Sequence, residues 1–287
     1  MTDSPLERLR ARRAEVGSPL CLGIDPHPDA LPDGLPPTVE GIESFARGLI
    51  EAAAAHACAV KINVAFFEAF GSAGWGALER ARADVPRRIP CILDAKRGDI
   101  ETSAERYAQA LLGHLDADGV TLSPYLGEDA VEPFLAAATK DRLVYLLART
   151  SNPSAGRFQS LIADGEPVHQ HVVRWAAERW TDGRVGLVVG ATAPDELIRL
   201  REAFPGPAFL VPGVGAQGGD VGAAARAADG AWAPGLVSVS RGIALASSGP
   251  DWQSAAAAAA SVHSARLREA VLHSTASPVR AGEIGGS

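Results

Sequence analysis

The sequence contains little that would suit a secreted, membrane-spanning or disulfide-stabilised protein. It has three cysteines, and Cys21, Cys58 and Cys91 lie in apolar runs without CxxC spacing, so we expect reduced core thiols. No apolar run is long enough to span a bilayer, and the charged N-terminal residues lack the apolar core of a secretory signal. The sequence therefore predicts a cytoplasmic protein with no membrane segment.

An excess of positive charge is also missing, since the 287 residues carry a net charge of −7. This balance argues against nucleic-acid partners and polybasic membrane binding, but a local basic site for a small anion stays compatible with it. No histidine and carboxylate spacing resembles a metal site, so no metal is expected. Hydrophobic residues make up 47% and charged residues 21%, which is ordinary for a folded globular protein.

Eight short apolar runs recur along the chain, each followed by a polar or glycine-containing turn and then by a helical pattern. Several runs are continuously apolar, as expected for strands that are buried on both faces. Helical periodicity is visible at 39–56, 102–115, 195–203 (after Pro194) and 252–272. The apolar runs lie at 20–24, 57–62, 90–93, 119–122, 143–148, 185–189, 208–211 and 236–239.

Eight strand–helix units predict an α/β protein with a single-domain (β/α)₈ (TIM) barrel. The alternative is a doubly wound sheet, which the absence of GxGxxG after the first strand disfavours. We expect an N-terminal helical extension over 1–19, a barrel over 20–273 and a flexible C-terminal tail over 274–287. The segment 150–167 is long for a strand–helix connection, so it is a candidate lid.

Polar residues follow most of the predicted strands. Catalytic groups of such barrels lie at the carboxyl ends of the strands, so these residues are predicted to converge on one mouth. They are Asp25, Lys61, Asn63, Asp94, Lys96, Ser123, Arg149, Thr150, Ser151, Pro212, Gly213, Ser240 and Arg241.

The run DAKRGDI (94–100) is the sharpest cluster. Asp94 and Lys96 are two apart on a strand and are expected to face the same side, and Asp99 follows on a loop loosened by Gly98. Two flanking carboxylates would keep the lysine protonated, which suits a proton donor rather than a Schiff-base nucleophile. Lys61, on the neighbouring strand, would extend the row of alternating charge. An internal salt-bridge network without catalytic function is the alternative.

A second cluster, PGVGAQGGD (212–220), precedes a predicted helix, and Arg241 ends the last strand. Glycines let backbone N–H groups approach an anion, and loops after strands seven and eight are the frequent phosphate site of this fold. Arg241 would donate to phosphate oxygens and Gln217 would close over the group. A glycine-rich turn without a ligand is the alternative.

The quoted segments together resemble the orotidine 5′-phosphate decarboxylase family, and the DAKRGDI run resembles its longer bacterial subgroup. The resemblance extends from about residue 20 to 247. The segments that carry it are LCLGIDPHP, VKINVAFFEAFG, ILDAKRGDI, VTLSPYLGED, LARTSNPSAGRFQ, LVPGVGAQGGD and VSRGIA.

This resemblance implies decarboxylation of orotidine 5′-monophosphate (OMP) to UMP, without a cofactor, in de novo pyrimidine synthesis. It implies that Lys96 protonates C6 of the pyrimidine and that Asp94 lies near the substrate carboxylate. It gives the remaining residues binding roles: Lys61 for Asp94 and a ribose hydroxyl, Asp25 for the ribose, Ser151 for the pyrimidine edge, and Gln217 and Arg241 for the phosphate. Pro212, in the same loop as Gln217, is counted with the substrate-binding residues.

The resemblance also implies a homodimer with shared active sites, because Asp99 of this family reaches the partner's site. The family usually has a threonine four residues after that aspartate; here Ser103 takes its place, with Thr102 as an alternative ribose contact. Two other functions stay open. One is a related phosphate-binding barrel enzyme, such as a keto-sugar-phosphate decarboxylase or a pentulose-phosphate epimerase, and the other is a nucleotide-binding protein without catalysis.

Overall fold

Eight parallel strands close into one barrel, in which the last strand pairs with the first. The computed structural model describes residues 4–136, 142–214 and 218–275. The predicted (β/α)₈ barrel is confirmed, and ring closure excludes a doubly wound sheet. The strands are β1 (Leu20–Ile24), β2 (Ala59–Asn63), β3 (Cys91–Arg97), β4 (Gly119–Leu122), β5 (Leu143–Arg149), β6 (Val185–Val189), β7 (Phe209–Val211) and β8 (Leu236–Val239).

Helices surround this barrel and bury one apolar face each against it. Between α2 and β1, for example, Phe45 and Leu49 are fully buried, and such packing supplies most of the stability of a surface helix. The main helices are α1 (Pro5–Val16), α2 (Val39–Ala53), α3 (Gly71–Asp84), α4 (Glu101–Ala108), α5 (Glu132–Ala136), α6 (Val168–Arg179), α7 (Pro194–Ala203), α8 (Val221–Ala228) and α9 (Trp252–Thr275).

Several shorter elements lie in the connections. A π-helix, Gln109–His114, continues α4, and an antiparallel pair of two-residue strands joins Ile162–Ala163 to Glu166–Pro167. The candidate lid therefore has structure of its own. Short α-helices occupy Ala65–Glu68, Gly156–Gln159 and Arg241–Ala244, and 3₁₀ turns occupy Pro28–Ala30, Ala54–His56 and Glu128–Ala130.

The amino end of the barrel is closed by α1. Leu6 and Leu9 pack among residues from the starts of the strands, and a capping box joins Ser4 to Glu7 at the start of the helix. Arg12 is 3% exposed and donates to the backbone carbonyls of the segment that leads into β2. In the described structure, the mouth of the barrel therefore lies at the carboxyl ends of the strands.

The three cysteines are free and buried in the described structure. Burial raises the pKa of the Cys58 and Cys91 thiols to about 12, which leaves them protonated and unreactive at neutral pH. This agrees with the expectation of core thiols.

Some predicted boundaries shift. The second strand begins at Ala59 rather than at 57, and β3 extends to Arg97, past the predicted end at 93. The last helix continues to Thr275, and residues 276–287 of the predicted tail lie outside the described residues. No helix in the described ranges is long and apolar enough to cross a membrane.

Candidate active site

A cavity of about 550 Å³ opens at the carboxyl ends of the strands. This is the end opposite α1 and the place where barrels of this type carry their chemistry. Most of the residues predicted from the strand ends meet there. The predicted site residues that line it are Asp25, Lys61, Asp94, Lys96, Ser151, Pro212 and Arg241.

A row of alternating charges crosses the floor of the cavity. Lys61 Nζ lies 2.8 Å from Oδ2 of Asp94 and 3.8 Å from Oδ1 of Asp25. Lys96 Nζ lies 2.5 Å from the other oxygen, Oδ1, of Asp94. Asp94 therefore stands between two ammonium groups, and the row runs Asp25, Lys61, Asp94, Lys96. The predicted row was Lys61, Asp94, Lys96 and Asp99, so Asp25 rather than Asp99 is its fourth member.

The charges in this row perturb one another. Burial raises the pKa of Asp94, but the charges and hydrogen bonds of Lys61 and Lys96 outweigh it and hold the pKa well below its usual range. Burial likewise lowers the pKa of Lys61, and Asp94 and Asp25 overcome it, so that this pKa lies above its ordinary value. Lys61 and Asp94 are therefore an ion pair at neutral pH.

One carboxylate oxygen in the row has room for another partner. Oδ1 of Asp25 is buried and, among the described residues, receives no hydrogen bond. A buried acceptor without a donor is unfavourable, so a ligand hydroxyl at this position would be stabilised.

The backbone at Lys96 departs from a regular strand. Its φ is +47°, and the pairing of β3 with β4 shifts register between Leu93 and Arg97. Asp94 and Lys96 face the same cavity, as expected. The predicted reason, regular alternation along the strand, is wrong, because a bulge rather than a regular pleat directs Lys96 into the cavity. A left-handed non-glycine residue costs on the order of 1–3 kcal/mol and persists where its surroundings hold it.

Asp99 and Ser103 do not face this cavity. The carboxylate of Asp99 turns back to accept the N–H of Ile100 at 2.9 Å, and Ser103 is exposed on α4. In the described part of the chain nothing joins Asp99 to Lys96, so the expectation that two carboxylates flank Lys96 within one chain is wrong. The chain leaves β3 at Arg97 and carries both residues outward. Ser123 lies beside Gly98 outside the cavity, and Thr121 of β4 lines it instead.

The end of the cavity that the sequence predicts to bind an anion lies after β7 and β8. Gly213 has φ +95°, a conformation that favours glycine. Arg241 starts the short helix after β8, and within the described ranges its side chain has no ion-pair or hydrogen-bond partner. Gln217 lies outside the described residues.

The helix after the glycine-rich loop begins with a side-chain cap from its own chain. The side chain of Asp220 caps α8 and accepts the N–H of Ala223 at 2.5 Å. A carboxylate of the chain itself therefore occupies the N-terminus of α8. The free cation at this end is Arg241, within the described residues.

A glutamine that the sequence analysis missed holds the strand-five end of the cavity. Gln159 accepts the backbone N–H of Thr150 at 2.9 Å and donates to its hydroxyl at 2.7 Å. The backbone carbonyl oxygen of Gln159 lies 2.9 Å from Nδ1 of the buried His169. Nε2 of His169 lies 3.0 Å from Oε1 of Glu196. Ser151 is therefore preceded by a residue with a fixed backbone.

The segment LARTSNPSAGRFQ ends at Gln159, but its pattern gives this residue no function, because Gln159 approaches the cavity only after the candidate lid folds back. Close packing also fixes Ser151 from the β6 side. A Cβ placed on Gly190 would lie 3.1 Å from Cβ of Ser151, so a larger residue would displace the serine.

In the described ranges, no group of three or more histidine, cysteine, aspartate or glutamate side chains is arranged to hold a metal ion. The fold and cavity define a (β/α)₈ barrel whose carboxyl-end site combines an ion row with an arginine that has no ion-pair partner among the described residues. Residues 18–258 match the model of the orotidine 5′-phosphate decarboxylase / HUMPS family. The chain belongs to this family.

Curated relatives match over nearly their whole length. The orotidine 5′-phosphate decarboxylase of Roseiflexus castenholzii is 49% identical over 259 residues, which cover 88% of this chain and 92% of the relative. The enzyme of the same name from Herpetosiphon aurantiacus is 43% identical over 253 residues, covering 88% and 93%. Matches of this extent include both the barrel and the site.

Two solved structures from Leishmania donovani are also similar. Its OMP decarboxylase has a TM-score of 0.78 and 37% identity, covering 92% of this chain and 99% of that one. Its UMP synthase has a TM-score of 0.83 and 38% identity, covering 94% of this chain and 56% of that one. This chain thus spans about half the length of the synthase.

Proposed function

We propose that this protein decarboxylates OMP to UMP and carbon dioxide in pyrimidine biosynthesis, with Lys96 as the proton donor to C6. One observation carries the proposal: an ammonium group enters the cavity 2.5 Å from a carboxylate that is ionised at neutral pH. The names of the full-length curated relatives support the same reaction.

The chemistry requires a cation at C6. Loss of carbon dioxide breaks the bond between C6 and the carboxylate and leaves an electron pair on a ring carbon that cannot delocalise it. A preorganised ammonium stabilises that charge, and it does so most strongly once closure over the substrate excludes water. Transfer of a proton from Nζ of Lys96 to C6 then completes UMP and leaves a neutral amine, which solvent reprotonates.

Asp94 has two functions in this scheme. It directs the ammonium of Lys96, and it stands close to the substrate carboxylate, where its repulsion disappears as carbon dioxide departs. Lys61 supplies a second positive charge on the other oxygen of Asp94. That charge, together with the charge of Lys96, offsets burial, which favours the protonated form of Asp94.

The other cavity residues bind parts of the substrate that do not react. The buried Oδ1 of Asp25, which receives no hydrogen bond from the described residues, suits a ribose hydroxyl. Arg241 suits the phosphate, and Ser151 suits the pyrimidine edge. Gln217 and Pro212 would complete the phosphate end. Binding energy from the remote phosphate can be used for closure over the reacting ring.

We also propose a homodimer, in which Asp99 and Ser103 act in the partner's site. Neither residue lines the cavity of its own chain, and three apolar side chains in the segments that follow β3 and β4 are exposed and would be covered in a dimer. Ile100 is 46%, Tyr125 74% and Leu126 45% exposed. As an enzyme of nucleotide synthesis it would act in the cytoplasm.

The direct test is the loss of OMP absorbance after addition of metal-stripped protein in EDTA, with UMP identified as the product. Turnover in EDTA supports the proposal and separates it from metal-dependent sugar-phosphate enzymes of similar fold. Tight UMP binding with no OMP turnover would contradict it and support a nucleotide-binding protein without catalysis.

A further inference from the structure

A buried hydroxyl links the backbone N–H of Lys96 to the carboxylate that accepts the ammonium of the same lysine. Thr121 lies in β4 and is 1% exposed. Its Oγ1 accepts the backbone N–H of Lys96 at 3.0 Å and donates its own hydrogen to Oδ1 of Asp94 at 2.9 Å. The ammonium of Lys96 donates to the same oxygen of Asp94 at 2.5 Å. These bonds form a closed ring.

The ring forms at the point where regular pairing fails. The register of β3 against β4 is interrupted between Leu93 and Arg97, and Lys96 has φ +47°. A backbone N–H removed from the strand ladder needs another acceptor when it is partly buried. The hydroxyl of Thr121 supplies that acceptor and so holds the bulge in one conformation.

The same hydroxyl has no hydrogen left for a substrate, because a threonine hydroxyl carries one and Thr121 gives it to Asp94. Its effect on a reaction therefore passes through Lys96 and Asp94. Among the described residues, the carboxylate of Asp94 receives three donors, two on Oδ1 and one, from Lys61, on Oδ2. Removing the hydroxyl would loosen both the backbone and the carboxylate that direct the ammonium.

We propose that Thr121 is a positioning residue for the proton donor: its hydroxyl fixes the backbone of Lys96 and the carboxylate of Asp94 in one hydrogen-bonded ring. This inference rests on the proposed role of Lys96. It predicts an effect on the chemical step rather than on substrate binding, because the ring acts on the groups that meet C6.

Three variants test the ring. Thr121→Val keeps the branched shape and removes the hydroxyl, and we expect kcat to fall about 10- to 100-fold with little change in KM. Thr121→Ser restores the hydroxyl and is expected to recover most of kcat. Thr181→Val, which removes an exposed threonine hydroxyl outside the cavity, is the matched control and keeps wild-type kinetics.

Melting temperatures show whether each variant folds, and Thr121→Ala replaces Thr121→Val if the valine variant does not. A wild-type kcat without the hydroxyl, a change confined to KM, or equal losses in the serine and valine variants would each overturn the inference. Full turnover by Lys96→Ala would instead overturn the proposed mechanism, so the two failures are distinguishable.

Discussion

Nζ of Lys96 lies 2.5 Å from Oδ1 of Asp94, although the backbone between these residues is not a regular strand. On a flat strand, the Cα atoms of residues i and i+2 lie about 7 Å apart and their side chains run parallel. Here the bulge and the left-handed conformation of Lys96 turn its long side chain back toward the carboxylate. The position of the cation therefore depends on local backbone geometry as well as on residue identity.

Arg241→Ala is expected to raise KM for OMP much more than it lowers kcat. The arginine lines the cavity at the end of the last strand, whereas the ion row comes from β1 to β3. It has no ion-pair or hydrogen-bond partner for its side chain within the described residues. Loss of a charge-assisted contact to phosphate typically costs about 1.5–3 kcal/mol. Steady-state kinetics measure the split, and Arg266→Ala on the exposed face of α9 is the control. An unchanged KM would place the phosphate elsewhere.

The Asp94→Asn variant is expected to lose less free energy of unfolding than the wild type as the pH falls. The folded pKa of Asp94 lies well below its usual value, so its stabilising contribution is present above about pH 4, the unfolded value, and falls as the pH drops further. Below that pH the unfolded chain binds a proton that the native chain does not.

Urea unfolding of wild type and Asp94→Asn between neutral pH and pH 3 measures this effect. The wild type should lose more free energy of unfolding than the variant over the acid part of the range. Parallel profiles would show that Asp94 is not held ionised by its lysine neighbours.

A shared site predicts complementation between two inactive homodimers. Lys96→Ala and Asp99→Ala proteins, once their subunits exchange, should regain activity, because one site of each heterodimer collects both defects and the other neither. Native mass spectrometry would confirm the exchange, and absorbance would follow OMP. No recovery after proven exchange would contradict a site that uses Asp99 of the partner.

The barrel was predictable from the sequence because strands buried on both faces are continuously apolar, and β1, β4 and β6 lie where the apolar runs predict them. The convergence of Asp25, Lys61 and Asp94 followed from the fold alone, since parallel strands bring their carboxyl ends to one mouth. Site position is thus a consequence of topology.

Other features depended on contacts distant in sequence. The bulge at Lys96 is held by Thr121, which is 25 residues away, and the position of Gln159 depends on how the connection after β5 folds back. The outward direction of Asp99 reflects the chain's exit from β3. Hydrophobic periodicity gives side-chain directions within regular helices and strands, but not at a bulge or in a connection between them.

The central claim is that the ammonium of Lys96 supplies the proton to C6. The most direct measurement is kcat for OMP with Lys96→Ala, alongside its melting temperature and its affinity for UMP. We expect kcat to fall by about 10⁴-fold or more, with a cooperative unfolding transition and UMP binding retained. A folded Lys96→Ala enzyme that turns over OMP at the wild-type rate would contradict the account.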